Sequence, residues 1–152
     1  MFRGINLVNI DTKGRVAIPA RYRERLQQES DSEVVLTIDT DTRCLLLYPS
    51  TIWETIEHKI EALPSFNPAA RRIQRLLIGH ATEMDLDGQG RILVPTLLRE
   101  YAGLDERAVL IGQGKKFELW DATRWNESRE QWLGEMASQG GELPPELGTL
   151  SL

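Results

Sequence analysis

One nine-residue phrase occurs twice in this chain. Asp11-Thr-Lys-Gly-Arg-Val-Ala-Ile-Pro19 recurs 76 positions later as Asp87-Gly-Gln-Gly-Arg-Ile-Leu-Val-Pro95. Both copies read Asp-x-x-Gly-Arg, three apolar residues and Pro. A repeat of this kind builds a fold from two like units rather than one irregular core. The likeness runs beyond the phrase. Arg23-Glu24 matches Arg99-Glu100, and the apolar run Val34–Ile38 matches Ala108–Ile111. Leu45–Trp53 aligns with Phe117–Trp125 at a displacement of 72, so the second copy has shorter loops.

Each phrase has a local physical reading. Asp11 and Asp87 open turns by accepting hydrogen bonds from nearby amides, and Gly14 and Gly90 supply the positive φ. Arg15 and Arg91 begin short strands, closed by Pro19 and Pro95 at the starts of short helices. The second helix is expected to end at Gly103. Further strands are expected at Val34–Asp39, Cys44–Tyr48, Ala108–Ile111 and Phe117–Trp120. Ser50 is expected to cap a helix, with Thr51 and Glu54 as a capping box. Its apolar face would be Trp53, Ile56, Ile60 and Leu63. Asn67-Pro68 is expected to start a further helix over Ala69–Ile78, ended by Gly79, and another is expected from Asp121. The Gly- and Pro-rich stretch 140–148 reads as a frayed tail. Many short strands with punctuating turns indicate a mainly β fold with added helices, a small pseudo-symmetric barrel built by two halves. The halves are bounded at 5–52 and 81–124, with a helical connector at 53–80 and a C-terminal helix and flexible tail at 125–152.

The 152 residues suit one domain or two small ones. Each copy alone is marginal for a stable core, so the copies are expected to share one. Cys44 is the single cysteine, which excludes an intramolecular disulfide and suits a reducing compartment. Met1-Phe-Arg-Gly lacks the apolar run of a signal peptide, and no stretch approaches transmembrane length.

Net charge is −5, yet its distribution favours a polyanionic partner. Residues 1–25 carry six Lys/Arg and two acids, a net +4, and residues 26–70 a net −6. Residues 71–116 are net +2 and residues 117–152 net −5. Each copy therefore opens basic and closes acidic. Lys13 stands at the first turn's tip beside Arg15, whose rigid donor fork suits phosphate oxygens or a guanine edge. Arg3 and the series Arg21, Arg23, Arg25 enlarge that positive field, with a solvated helix face as the alternative reading of the series. An alternative stays open: Asp11 with Arg15, and Asp87 with Arg91, can simply be ion pairs that lock the turns. The copies also differ, with Gln89 in the place of Lys13 and Leu97 in the place of Arg21.

Catalytic patterns find little support. His58 and His80 have no metal-ligand spacing, and Cys44 in an apolar strand reads as a small buried hydrophobe. The calcium-loop start at Asp85-x-Asp87 fails because Thr96 stands where a bidentate Glu is needed. Gly112-Gln-Gly-Lys-Lys116 lacks P-loop spacing and reads as a hairpin turn. Trp53, Trp125, Trp132 and Tyr48 read as packing residues rather than base-stacking ones.

The doubled Asp-x-x-Gly-Arg phrase and the opening Met-Phe-Arg-Gly resemble the MraZ family, of the AbrB-like superfamily, from Met1 to about Trp132. The resemblance implies two tandem AbrB-like swapped-hairpin halves closing one barrel. It implies a transcriptional regulator, a repressor, that binds repeated double-stranded DNA elements upstream of the division and cell wall gene cluster. It implies a ring-shaped homo-oligomer in the cytoplasm, associated with the nucleoid, with no enzymatic activity, cofactor, metal, membrane or small-molecule substrate. Lys13, Arg15, Arg3 and Arg91 are the expected DNA-binding residues. Asp11, Gly14, Pro19, Asp87, Gly90 and Pro95 form the turns. A protein-binding module like the superfamily's antitoxins, and an enzyme on a related barrel, are the competing readings. A stoichiometric protein partner would favour the first, and a bound cofactor the second.

Overall fold

Short strands, broken by Asp and Gly turns, set the element order. The computed structural model describes residues 1–138 and 144–150. In chain order the elements are β1 (Phe2–Asn9), β2 (Arg15–Ala17), α1 (Ala20–Ser30), β3 (Glu33–Ile38) and β4 (Leu45–Pro49). Next come α2 (Ser50–Glu61), α3 (Pro68–Ile73), a π-helical turn (Gln74–Ile78), β5 (Thr82–Asp85), β6 (Arg91–Leu93) and α4 (Thr96–Ala102). Last are β7 (Arg107–Gly114), β8 (Phe117–Asp121), α5 (Ala122–Ser138) and α6 (Pro145–Gly148). The molecule is mainly sheet with added helices, as the sequence predicts.

Six strands form an antiparallel sheet in the order β1-β7-β8-β4-β3-β5, and β2 pairs with β6 in a separate ribbon. The two halves exchange strands. β1 pairs with β7 of the second half, and β5 pairs with β3 of the first. Val16 faces Ile92 in the ribbon, and these are repeat-equivalent residues. Leu46 faces Glu118 in the sheet, and they too are equivalent. An approximate two-fold axis therefore runs through both pairs. Asn9 faces Arg107 where Asp85 faces Glu33, a displacement of 74 between β3 and β7. The displacement thus falls from 76 to 74 to 72, so two residues are lost before β7 and two more before β8.

Both halves feed one core. Val16, Ile18, Leu26, Leu36 and Leu47 of the first pack with Ile92, Leu98, Leu110, Phe117 and Leu119 of the second. Phe117 stacks against Phe2 at 4.3 Å and meets Tyr22 edge-on at 4.9 Å. Truncating such a side chain to alanine costs about 3–5 kcal/mol. A second cluster lies on the other sheet face, where Val35, Tyr48, Trp53 and Ile60 pack with Leu77, Ile78 and Ala81. Thr37 donates to the Leu77 carbonyl at 2.7 Å, tying the π-helical turn to β3.

Several local expectations differ. Ser50 is the first residue of α2 rather than its cap: Pro49 holds the N-cap and no side chain caps it. Thr51 donates instead to the Glu29 carbonyl at 3.3 Å, so no capping box forms. Leu63 is exposed, and the buried face of α2 is Trp53 and Ile60. Pro19 and Pro95 likewise occupy N-cap positions, one residue before their helices. The helix over Ala69–Ile78 opens at Asn67-Pro68 as expected, with Asn67 as its cap, but widens to π geometry at Gln74. Of the stretch read as a frayed tail, Pro145–Gly148 form a helical turn. Residues 139–143 and 151–152 lie outside the described residues.

The chain divides into two compact units, Met1–Ala122 and Thr123–Leu152. The second consists chiefly of α5, along which Trp125 and Trp132 meet edge-to-face at 5.9 Å. Among the described residues, no helix is long and apolar enough to cross a membrane.

Candidate nucleic-acid interface

The two turns have nearly identical geometry. Asp11 Oδ1 accepts from the amides of Lys13 at 3.0 Å and Arg15 at 2.8 Å. Its Oδ2 accepts from Arg15 Nε at 2.7 Å. Asp87 Oδ1 accepts from the amides of Gln89 and Arg91, both at 2.9 Å, and its Oδ2 from Arg91 Nε at 2.9 Å. Gly14 and Gly90 take φ of +89° and +72°, the left-handed region where a Cβ is costly. The amide bonds from Arg15 and Lys13 stabilise the Asp11 carboxylate, lowering its pKa to about 2 despite partial desolvation. Asp87 is lowered for the same reasons, led by the Arg91 amide.

The turns are interlocked across the halves. Ile18 N donates to the Gly90 carbonyl and Val94 N to the Gly14 carbonyl, each at 2.9 Å. Arg23 Nε donates to the Ile18 carbonyl at 2.6 Å, and Arg99 Nε to the Val94 carbonyl at 3.0 Å. A Cβ on Gly14 would lie 2.8 Å from the Arg99 guanidinium, and one on Gly90 would lie 2.2 Å from Arg23 Nε. Arg23 and Arg99 are therefore supports of the opposite half's turn. The sequence reading placed Arg23 in a basic series and missed this. The available signal was that Arg23 and Arg99 occupy one repeat position.

The ribbon displays the arginines. Val16 and Ile92 point into the core, so Arg15, Ala17, Arg91 and Leu93 share the outward face. Arg15 and Arg91 sit diagonally across the two-fold axis. Each spends Nε on its aspartate, and among the described residues the terminal nitrogens make no hydrogen bond. The ion pair and an outward-facing donor pair thus coexist in one side chain. Lys13 is exposed at the tip, its ammonium in no ion pair among the described residues, and Gln89 is its counterpart.

Arg3 lies elsewhere. It stands on β1 opposite Gln113, eight residues before Asp11, or about 26 Å along an extended strand. Its neighbourhood gathers the rest of the basic series. Tyr22 donates its hydroxyl to the Arg3 carbonyl, Arg21 donates to Asn6 Oδ1, and Arg25 donates to the Met1 carbonyl at 2.9 Å.

Other chemistry is limited. Asp39, Cys44 and Glu118 bring one ligand atom each within 4.8 Å of one another. Burial pushes the Cys44 thiol up to about 12, so the group presents a protonated thiol rather than a thiolate. Trp53 and Tyr48 are buried, as packing residues should be.

Residues 1–76 and 77–139 each match the family described as "MraZ protein, putative antitoxin-like". The chain belongs to the MraZ family. The MraZ match falls on the two halves in tandem, in agreement with the repeat. A protein of Coxiella burnetii (strain RSA 493 / Nine Mile phase I) is 60% identical over 152 residues, all of both chains. Proteins of Legionella pneumophila (strain Paris) and Halorhodospira halophila (strain DSM 244 / SL1) are each 57% identical over the same full length. All three are named "Transcriptional regulator MraZ".

Proposed function

We propose that this chain is a sequence-specific DNA-binding transcriptional regulator, a repressor, whose outward ribbon face and first turn meet the duplex. The observation that carries the reading is the pair Arg15 and Arg91 on one face of a two-stranded ribbon. A B-DNA major groove admits such a ribbon, and arginine is the side chain that most often reads guanine there. Lys13 supplies an adjacent phosphate contact. The full-length relatives named as transcriptional regulators support the regulatory role.

In this reading residues 5–52 and 81–124 are the two halves, 53–80 is a helical connector, and 125–152 is a C-terminal helix and tail. The chain acts as a ring-shaped homo-oligomer on repeated elements upstream of the division and cell wall gene cluster, in the cytoplasm at the nucleoid. One ribbon gives few contacts. A ring repeats it at fixed spacing, so later contacts become intramolecular and raise affinity without new chemistry. Arg3, far along β1, contributes to the field rather than to the groove.

The test is a gel shift over a salt series with DNA from upstream of the chain's own gene, comparing wild type with Arg15→Ala. Salt-sensitive binding that the variant loses supports the reading. Absence of wild-type binding by an intact oligomer sinks it and turns attention to a protein partner.

A further inference from the structure

The two turns share a backbone but not an electrostatic setting, and the strand register locates the difference. We propose that Arg107 is a further phosphate contact of the first turn, while the facing carboxylates Glu33 and Asp85 hold the second turn off the DNA backbone. The inference rests on the DNA-binding reading and assigns its polarity.

The last ladder pair before the first turn is Asn9 opposite Arg107, and before the second turn it is Asp85 opposite Glu33. The next step is the same in both: Ile10 N donates to the Glu106 carbonyl at 2.8 Å, and Leu86 N to the Ser32 carbonyl at 3.0 Å. These pairs are therefore structural equivalents at the bases of the two turns. All four side chains are exposed. Among the described residues Arg107 makes no ion pair, so its charge is available to a ligand.

The charges differ position by position. Lys13 replaces Gln89, Asn9 replaces Asp85 and Arg107 replaces Glu33, while Glu106 replaces Ser32 in the opposite sense. The first turn's surroundings are thereby three charges more positive than the second's. Glu24 and Asp31 near the second turn are matched by Glu100 and Asp105 near the first, so they do not distinguish the halves. Carboxylates placed directly opposite on neighbouring strands destabilise a sheet. The fold itself gains nothing from Glu33 facing Asp85. A duplex lying across the outward face would meet both turns at once, and the carboxylate pair repels phosphates at one of them.

The measurement is fluorescence anisotropy with the oligomer, using a duplex from upstream of the chain's gene and an unrelated duplex, across a salt series. Arg107→Ala should flatten log K against log salt by about 0.9 per engaged subunit on both duplexes. Arg107→Lys should restore the slope. The triple change Glu33→Gln, Asp85→Asn, Gln89→Lys should steepen the slope and tighten binding. An unchanged slope in Arg107→Ala, alongside a flatter one in Lys13→Ala, overturns the assignment of Arg107. Unchanged binding by the triple variant overturns the repulsive role of the second turn. Should Lys13→Ala and Arg15→Ala both bind like wild type, the DNA-binding reading itself falls.

Discussion

Arg15 Nε reaches Asp11 Oδ2 at 2.7 Å, so the turn's own aspartate fixes the direction of the guanidinium. A lysine here keeps the charge but loses both the fork and the Nε bond. Arg15→Lys is expected to weaken specific DNA binding by about 1–3 kcal/mol. The melting temperature should change little, because an exposed ion pair contributes about 0–1 kcal/mol. Anisotropy titration and a thermal melt check the two halves of this prediction. Full retention of specific affinity would exclude a fork-dependent contact.

The Asp11 carboxyl should titrate near 2, below its ordinary 3.8. A group lowered on folding stabilises the native state above its unfolded pKa, and that contribution disappears as pH falls through the folded one. Its loss therefore belongs between about pH 4 and 2, and the Asp11 contribution is constant between about pH 5 and 8. The largest cause is the Arg15 backbone amide, so Arg15→Ala should return the value only part of the way. Carboxyl chemical shifts followed by NMR decide this. An ordinary value in the wild type would mean the turn is open in solution.

Gly14 combines a φ of +89° with an Arg99 guanidinium 2.8 Å from where its Cβ would stand. Gly14→Ala is expected to cost at least about 1–2 kcal/mol from the left-handed conformation alone. The displaced Arg99 should make it dearer than a typical surface change. Denaturant unfolding of Gly14→Ala beside Gly88→Ala is the comparison, since a Cβ at Gly88 would meet nothing within 4 Å. Equal midpoints would refute both the strained conformation of Gly14 and the locking role of Arg99.

Cys44 is fully buried, and its thiol is raised to about 12. At pH 8 the native protein should react with a thiol reagent far more slowly than the unfolded chain, because the thiolate is the nucleophile. Absorbance with an aromatic disulfide reagent, with and without denaturant, reads this out. Immediate native labelling would contradict the burial.

What could be read from sequence follows the range of the forces involved. The turns were legible because Asp11, Gly14 and Arg15 satisfy one another within five residues. Helix ends were legible where the chemistry was local, as at Asn67 and Gly103. At Ser50 the cap position falls on Pro49 instead, and the hydroxyl of Thr51 finds a partner on α1, outside its own helix. The support that Arg23 gives the second turn was not legible for the same reason: its neighbour is Gly90, in the other half. The facing pairs Asn9 with Arg107 and Glu33 with Asp85 depend on long-range register. Composition windows could show only that each half begins basic.

The exchange of β1 and β5 between halves has a consequence for how such a chain can change. Two separate copies of one half-length chain would carry every substitution on both sides of the axis. Joined in one polypeptide, the sides vary independently while still sharing Phe117, Leu36 and the rest of one interior. Lys13 and Gln89, or Arg107 and Glu33, could therefore part company without loss of the common framework.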